Sequence, residues 1–201
     1  ALAMVGSMAK AAIDRGRSDP WGHILHRLSS ADLDKIKAEF PGYPYPNLLR
    51  AIEVSVESLQ LEEQRRYLDL AVFSEDEQIP EAALGLIWGL NEYDTPDLAC
   101  LLADRSLARF SSGRLGLHDL QHDFAVKRAG DLPELHSRLV EAYRKECPDG
   151  WHSGPDDGYF YQHLSYHLLQ SGKKEELKRL LLDIRWLEAR LEKTDVTSLI
   201  S

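Results

Sequence analysis

Apolar side chains recur every three or four positions along most of the chain, the period of a helix with one buried face. Leu2, Val5, Ala9 and Ile13 mark such a face over residues 2–13. A short helix is predicted over 32–40, stopped by Pro41-Gly42. Tyr43-Pro44-Tyr45-Pro46 reads as an extended connector, because each proline restrains itself and the residue before it, and we place a boundary there. Leu48, Ile52, Val56 and Leu59 form the next stripe, and Leu61, Leu68 and Val72 continue it in a second helix. After a polar break at Ser74-Glu75-Asp76-Glu77, Pro80 opens a helix with Ala83, Leu86, Ile87 and Leu90 inward. Thr95-Pro96-Asp97 predicts a capped start for a helix carrying Leu98, Leu101 and Leu102.

The period then drops to two. Leu107-Ala108-Arg109-Phe110 and Arg114-Leu115-Gly116-Leu117 flank a Ser111-Ser112-Gly113 turn, which predicts a β-hairpin. Asp119 is expected to cap a further helix, with Leu120, Phe124 and Ala125 inward. Helices followed by one short hairpin are in winged-helix order. From Asp131, read as another cap, only helices are predicted. One has Leu135, Leu139 and Tyr143 buried. A loop over 147–158 precedes a helix with Phe160, Leu164 and Leu168 inward, stopped by Gly172, and helices over 173–183 and 186–191 follow. Short helix pairs of this kind stack as in an α-solenoid. The expected fold is mainly α: a winged-helix domain with a small β-hairpin, and a superhelical α domain.

Composition narrows the function classes. The 201 residues are 43% hydrophobic and 28% charged, which is globular and neither disordered nor fibrous. No apolar run approaches the ~20 residues of a membrane span. The net charge of −9 repels phosphate backbones. The helix before the hairpin carries Asp97 and Asp104 against Arg105, and the wing adds Arg109 and Arg114, a thin basic footprint, so no nucleic-acid partner is expected. Two cysteines, Cys100 and Cys147, are too few for a disulfide scaffold and point to a reducing compartment. Cys100, among leucines, is expected to be inert core.

Catalytic motifs are missing from the sequence. His118/His122 and His163/His167 are each four apart, but neither pair has the H-E-x-x-H order of a zinc protease or an evident third ligand, so polar positions of amphipathic helices are the expectation. There is no G-x-S-x-G and no G-x-x-x-x-G-K-[ST].

The order of several segments is informative. Tyr67-Leu68-Asp69-Leu70-Ala71-Val72-Phe73-Ser74-Glu75-Asp76, then Ile79-Pro80 and Leu86-Ile87-Trp88, resemble a signature of the NB-ARC (STAND) family, the switch ATPases of apoptotic protease activation and plant disease resistance. Leu101-Leu102-Ala103-Asp104-Arg105-Ser106-Leu107 resembles the family's helix leading into the wing. Leu117-His118-Asp119 is similar to its methionine-histidine-aspartate motif, with leucine for methionine. Ala1-Leu2-Ala3 resembles the tail of its G-L-P-L-A motif, and Phe160–Gln170 with Leu182-Asp183-Ile184-Arg185-Trp186 resembles the second helical domain of the apoptotic branch.

The resemblance implies the end of a first helical domain over 1–42, a winged helix over 43–129 and part of a second helical domain over 130–201. It implies a cytoplasmic parent chain with an N-terminal P-loop domain, a C-terminal repeat sensor, ADP or ATP as cofactor, and homo-oligomer assembly on activation. In that scheme His118 contacts the β-phosphate of ADP, with Asp119 and Leu117 beside it, and the winged helix closes over the nucleotide in the inactive state. A P-loop encoded upstream distinguishes this from the alternative, a freestanding helical interaction module. With the phosphate cradle and magnesium ligands of the P-loop absent from this sequence, the purified chain is expected not to turn over ATP and to bind ADP weakly or not at all. A phosphate-release assay and an ADP titration check this.

Overall fold

A computed structural model describes residues 2–30 and 46–194, and the helix expected over 32–40 and the boundary at 42/43 lie outside them. Packing divides the chain into two compact units, residues 1–77 with 96–129 and residues 78–95 with 130–201.

In the first unit, helices α1 (Leu2–Asp14) and α2 (Pro20–Ser30) pack on each other and on α3 (Pro46–Glu57). Met8, Ala9 and Ala12 supply the buried face of α1, while Ile13 points to solvent, against expectation. Helix α2 was not foreseen in the periodicity. Asp19 starts it, its Oδ1 accepting the Gly22 N–H at 2.9 Å, with Pro20 in the first turn.

Pro46 is the first residue of α3, the one helical position where its missing N–H costs nothing. This helix is buried almost all round: Leu49, Ala51, Ile52, Val54 and Val56 are joined by buried Glu53 and Ser55. The polar pair is satisfied, since Arg128 Nη2 donates to Glu53 Oε1 at 2.7 Å and Ser55 Oγ donates to the Arg105 carbonyl at 3.2 Å.

Helix α4 (Leu61–Asp69) runs into a 3₁₀ turn (Leu70–Val72). Tyr67, Leu70 and Val72 are buried, but Leu61 is exposed because it sits at the helix start outside the packed face. In helix α6 (Asp94–Asp104), Leu98, Ala99 and Leu102 face inward, and Cys100 is exposed rather than core.

The strands among the described residues are short: β1 (Ile79–Pro80), β2 (Arg109–Ser111) and β3 (Arg114–Gly116). The β2–β3 hairpin pairs antiparallel with Phe110 opposite Leu115. Ser112 and Gly113 both have positive φ, 52° and 71°, as a two-residue type I′ turn requires. Helix α7 (Asp119–Arg128) follows, with Phe124 and Ala125 buried and Leu120 half-exposed.

In the second unit, α5 (Glu81–Trp88) packs on α8 (Leu132–Lys145), and Ala83, Leu84, Ile87 and Trp88 of α5 are buried. Asp131 caps α8 as expected, its Oδ1 accepting the Glu134 N–H at 3.1 Å. Thr95 does not cap α6. The Asn91 carboxamide oxygen takes the Tyr93 and Asp94 N–H groups at 2.9 Å each, and the Thr95 hydroxyl donates back to the Asn91 carbonyl at 2.7 Å. Helices α9 (Phe160–Gln170), α10 (Lys174–Leu182) and α11 (Ile184–Lys193) complete this unit, each packing on the next.

The core of this unit is aromatic. Trp186, wholly buried, stacks on Tyr161 at 5.3 Å and meets the Phe160 ring edge-on at 5.6 Å. Gly154 lies so close to Phe160 that a Cβ would fall 2.1 Å from the ring, so no larger residue fits there. Asp157 orders the start of α9, accepting the Tyr159 and Phe160 N–H groups at 2.9 and 2.8 Å and the Tyr143 hydroxyl at 2.7 Å.

A chain of polar rings joins α8 to α9. Tyr159 Oη and His167 Nε2 are 2.8 Å apart, and His167 Nδ1 lies 2.8 Å from His136 Nδ1, one proton lying between the imidazoles. His163 stacks on Tyr159 at 4.1 Å, so His163 and His167 serve helix packing and hydrogen bonding.

Burial pulls the His136 pKa down to about 4. Burial, with His136 and His163 nearby, pulls His167 down as well. Both rings are therefore neutral when folded, whereas the unfolded chain takes up protons near pH 6.5. Stability contributed by this pair is complete above about pH 6.5 and is lost as pH falls toward about 4. We expect pH-dependent urea unfolding to show wild type losing more stability over that window than H136Q/H167Q, at up to about 1.4 kcal/mol per pH unit for each ring.

Candidate functional site

The segment 117–122 sits where β3 hands over to α7. Leu117 is buried and anchors the end of the hairpin. His118 is the N-cap, with φ −78° and ψ 153°, and Asp119 is the first helical residue. This corrects the expectation that Asp119 caps the helix. The extended backbone leaving β3 persists one residue further, so the cap geometry falls on His118. Both side chains are exposed to solvent. Asp119, in the first turn, places its carboxylate at the positive end of the helix dipole.

The residue that fixes this geometry is Gln121, which sequence reasoning passed over. Its side chain is buried and bridges two main-chain groups: Oε1 accepts the His118 N–H at 2.9 Å, and Nε2 donates to the Ser106 carbonyl at 2.7 Å. Ser106 itself adopts φ 56°, the left-handed residue that ends α6. The Tyr67 hydroxyl donates to the Gln121 carbonyl at 3.4 Å, and burial pushes that phenol well above its usual pKa. One side chain thus ties the end of α6, the end of the wing and the start of α7. A glutamine three residues after an N-cap is the capping-box pattern, and that spacing was the available signal.

His122 does not join His118 as a ligand pair. Its Nε2–H donates to the Phe73 carbonyl at 2.9 Å, holding α7 to the end of the 3₁₀ turn. Among the described residues, no group of three or more His, Cys, Asp or Glu side chains could hold a metal ion. No helix among them is long and apolar enough to cross a membrane.

A wing that runs directly into a pinned helix start, and a helical unit in the same chain, are the mainly α elements expected from the periodicity. Residues 132–201 match the family model described as the APAF-1 helical domain. The chain is similar to apoptotic protease-activating factor 1 of Danio rerio, 28% identical over 198 residues that cover 94% of this chain and 15% of the relative. The Homo sapiens protein of that name is 27% identical over 188 residues, 90% of this chain and 15% of the relative. A probable disease resistance protein of Arabidopsis thaliana is 26% identical over 195 residues, 88% of this chain and 22% of the relative. The resemblance to the NB-ARC family, and within it to the apoptotic branch, therefore stands on both motifs and overall sequence. The chain spans about 15% of the length of the apoptotic relatives.

The pinning role of Gln121 has a measurable consequence. Gln121→Leu leaves the His118 N–H and the Ser106 carbonyl without their partner and is expected to cost about 1–3 kcal/mol. His118→Ala keeps the main-chain bond to Gln121 and removes an exposed ring, so a change within about 0.5 kcal/mol is expected. Denaturant unfolding of the two variants side by side checks the difference.

Proposed function

We propose that this chain is the regulatory segment of a cytoplasmic NB-ARC signalling ATPase, comprising the end of a first helical domain (1–42), a winged helix (43–129) and part of a second helical domain (130–201). Its task is to couple the ADP or ATP state of a P-loop domain to domain rotation and homo-oligomer assembly. His118 is the sensor, donating from its imidazole to the β-phosphate of ADP in the closed state, with Asp119 and Leu117 shaping the segment that carries it. The catalytic cradle belongs to the P-loop domain of the parent protein, and a C-terminal repeat domain receives the trigger. The names of the relatives, one group concerned with apoptosis and one with disease resistance, favour signalling over metabolism.

The observation that carries this reading is the placement of His118. Its side chain is exposed while its main chain is held by the buried Gln121 bridge. A phosphate contact made there is lost as a unit when the winged helix swings away, which is a two-state element biased by a ligand. Such a contact changes the closed–open balance without remaking the core.

A hydrogen bond to a charged group contributes about 1.5–3 kcal/mol, roughly a ten- to hundredfold shift in that balance. In the full-length parent, His118→Ala is expected to speed ADP release by roughly that factor and to raise the assembled fraction. Stopped-flow release of a fluorescent ADP analogue and sizing of the assembled species read both. An unchanged release rate, together with a fall in melting temperature as large as that of Phe124→Ala, assigns His118 to bracing the hairpin instead.

A further inference from the structure

The first unit holds a concentration of positive charge that the sensor motif does not use. Arg15 at the end of α1, Arg17 in the connection, His23 and Arg27 on α2, and Arg105 after α6 line one narrow cleft of about 30 Å³, together with Ser58. The chain as a whole carries a net charge of −9, so this grouping runs against its composition. Arg27 shares its charge with Glu57 at 3.1 Å, and the Asp19 carboxylate is engaged by the Gly22 N–H.

Arg105 is the unusual member. It is nine-tenths buried, and its Nη1 donates to Ser58 Oγ at 2.7 Å. Among the described residues, no carboxylate lies within ion-pair distance of its guanidinium. Burial and then Arg15 disfavour its charge, and Glu63 and Asp104 favour it only from beyond ion-pair distance. A buried cation facing Arg15 and bonded to a neutral hydroxyl is costly unless an anion completes the site. His23 is disfavoured as a cation too, first by desolvation and then by Arg17, Arg27 and His26.

We infer that this cleft is an oxyanion-binding site, which takes one oxygen of a phosphoryl or carboxylate group against Arg105 and holds the remainder of the anion at the mouth with Arg15 and Arg17. The cleft admits about one water-sized group, which fits a single oxygen of an oxyanion and not a whole nucleotide. The planar guanidinium fork suits phosphoryl and carboxylate oxygens alike. Arg15 and Arg17 are exposed, so an anion reaches them from solvent. The site shares no residue with Leu117, His118 or Asp119, so its success or failure is independent of the nucleotide-sensor reading.

The test is thermal unfolding of the 201-residue chain at fixed ionic strength, with chloride exchanged for inorganic phosphate in one arm and for acetate in another. A ligand that binds the folded state raises the midpoint in proportion to the logarithm of its concentration. A shift in phosphate identifies a phosphoryl ligand, and a shift in acetate alone identifies a carboxylate. In either case Arg105→Met and the surface variant R15Q/R17Q are expected to weaken binding by about ten- to hundredfold, the worth of one charge-assisted hydrogen bond. R109Q/R114Q, on the wing, is expected to leave the shift intact. No shift in either arm, or a shift that R15Q/R17Q retains in full, overturns the assignment even if Arg105→Met fails to fold.

Discussion

The carboxamide of Gln121 is the point at which the local geometry of the winged helix is set. A glutamine side chain presents one acceptor and two donors in a plane, and here it meets an orphan N–H at the start of α7 and an orphan carbonyl beyond the end of α6. Both groups are partly buried, where an unpaired main-chain group is expensive. The bridge therefore satisfies two caps with one side chain and fixes their spacing. The Tyr67 hydroxyl on the Gln121 carbonyl and the His122 ring on the Phe73 carbonyl extend the same device to α4 and the 3₁₀ turn. Each links residues about fifty positions apart, so the segment bearing His118 inherits its rigidity from contacts distant in sequence.

That pattern explains what was legible in the sequence. The hairpin could be read because a two-residue Ser112-Gly113 turn between alternating segments is a local signal with one structural solution. Asp131 and Gly172 could be read for the same reason: a cap with an acidic side chain and a left-handed stop depend only on their neighbours. The caps assigned to Asp119 and Thr95 failed because the competition was tertiary or longer-range. Gln121, reaching to Ser106, moved one cap back to His118, and Asn91 captured the other from four residues upstream.

Helix α2 escaped notice because His23, His26 and Arg27 interrupt its apolar stripe. The Asp19-Pro20 start was the surviving clue, since it needs no periodicity at all. The all-round burial of α3 was equally hidden. A helix that carries Glu53 and Ser55 reads as amphipathic, and only the partners Arg128 and the Arg105 carbonyl make those positions interior. The motif pointed to Leu117, His118 and Asp119 as candidates, while the side chain that positions their backbone was left unassigned, because its role depends on Ser106, fifteen residues upstream.

Two buried polar clusters, one in each unit, are built differently, and the difference bears on what each can do. In the helical unit, His136, His167 and Tyr159 bond to one another ring to ring, and these bonds hold α8 to α9. In the first unit, Arg105 is interior: one of its donors meets the neutral Ser58 hydroxyl, and burial followed by Arg15 disfavours its charge. A network that is closed contributes specificity of packing and a dependence on pH. A network left open stores a preference for whatever anion closes it. Stability and responsiveness are therefore carried by separate polar clusters, and a substitution that alters one need not disturb the other.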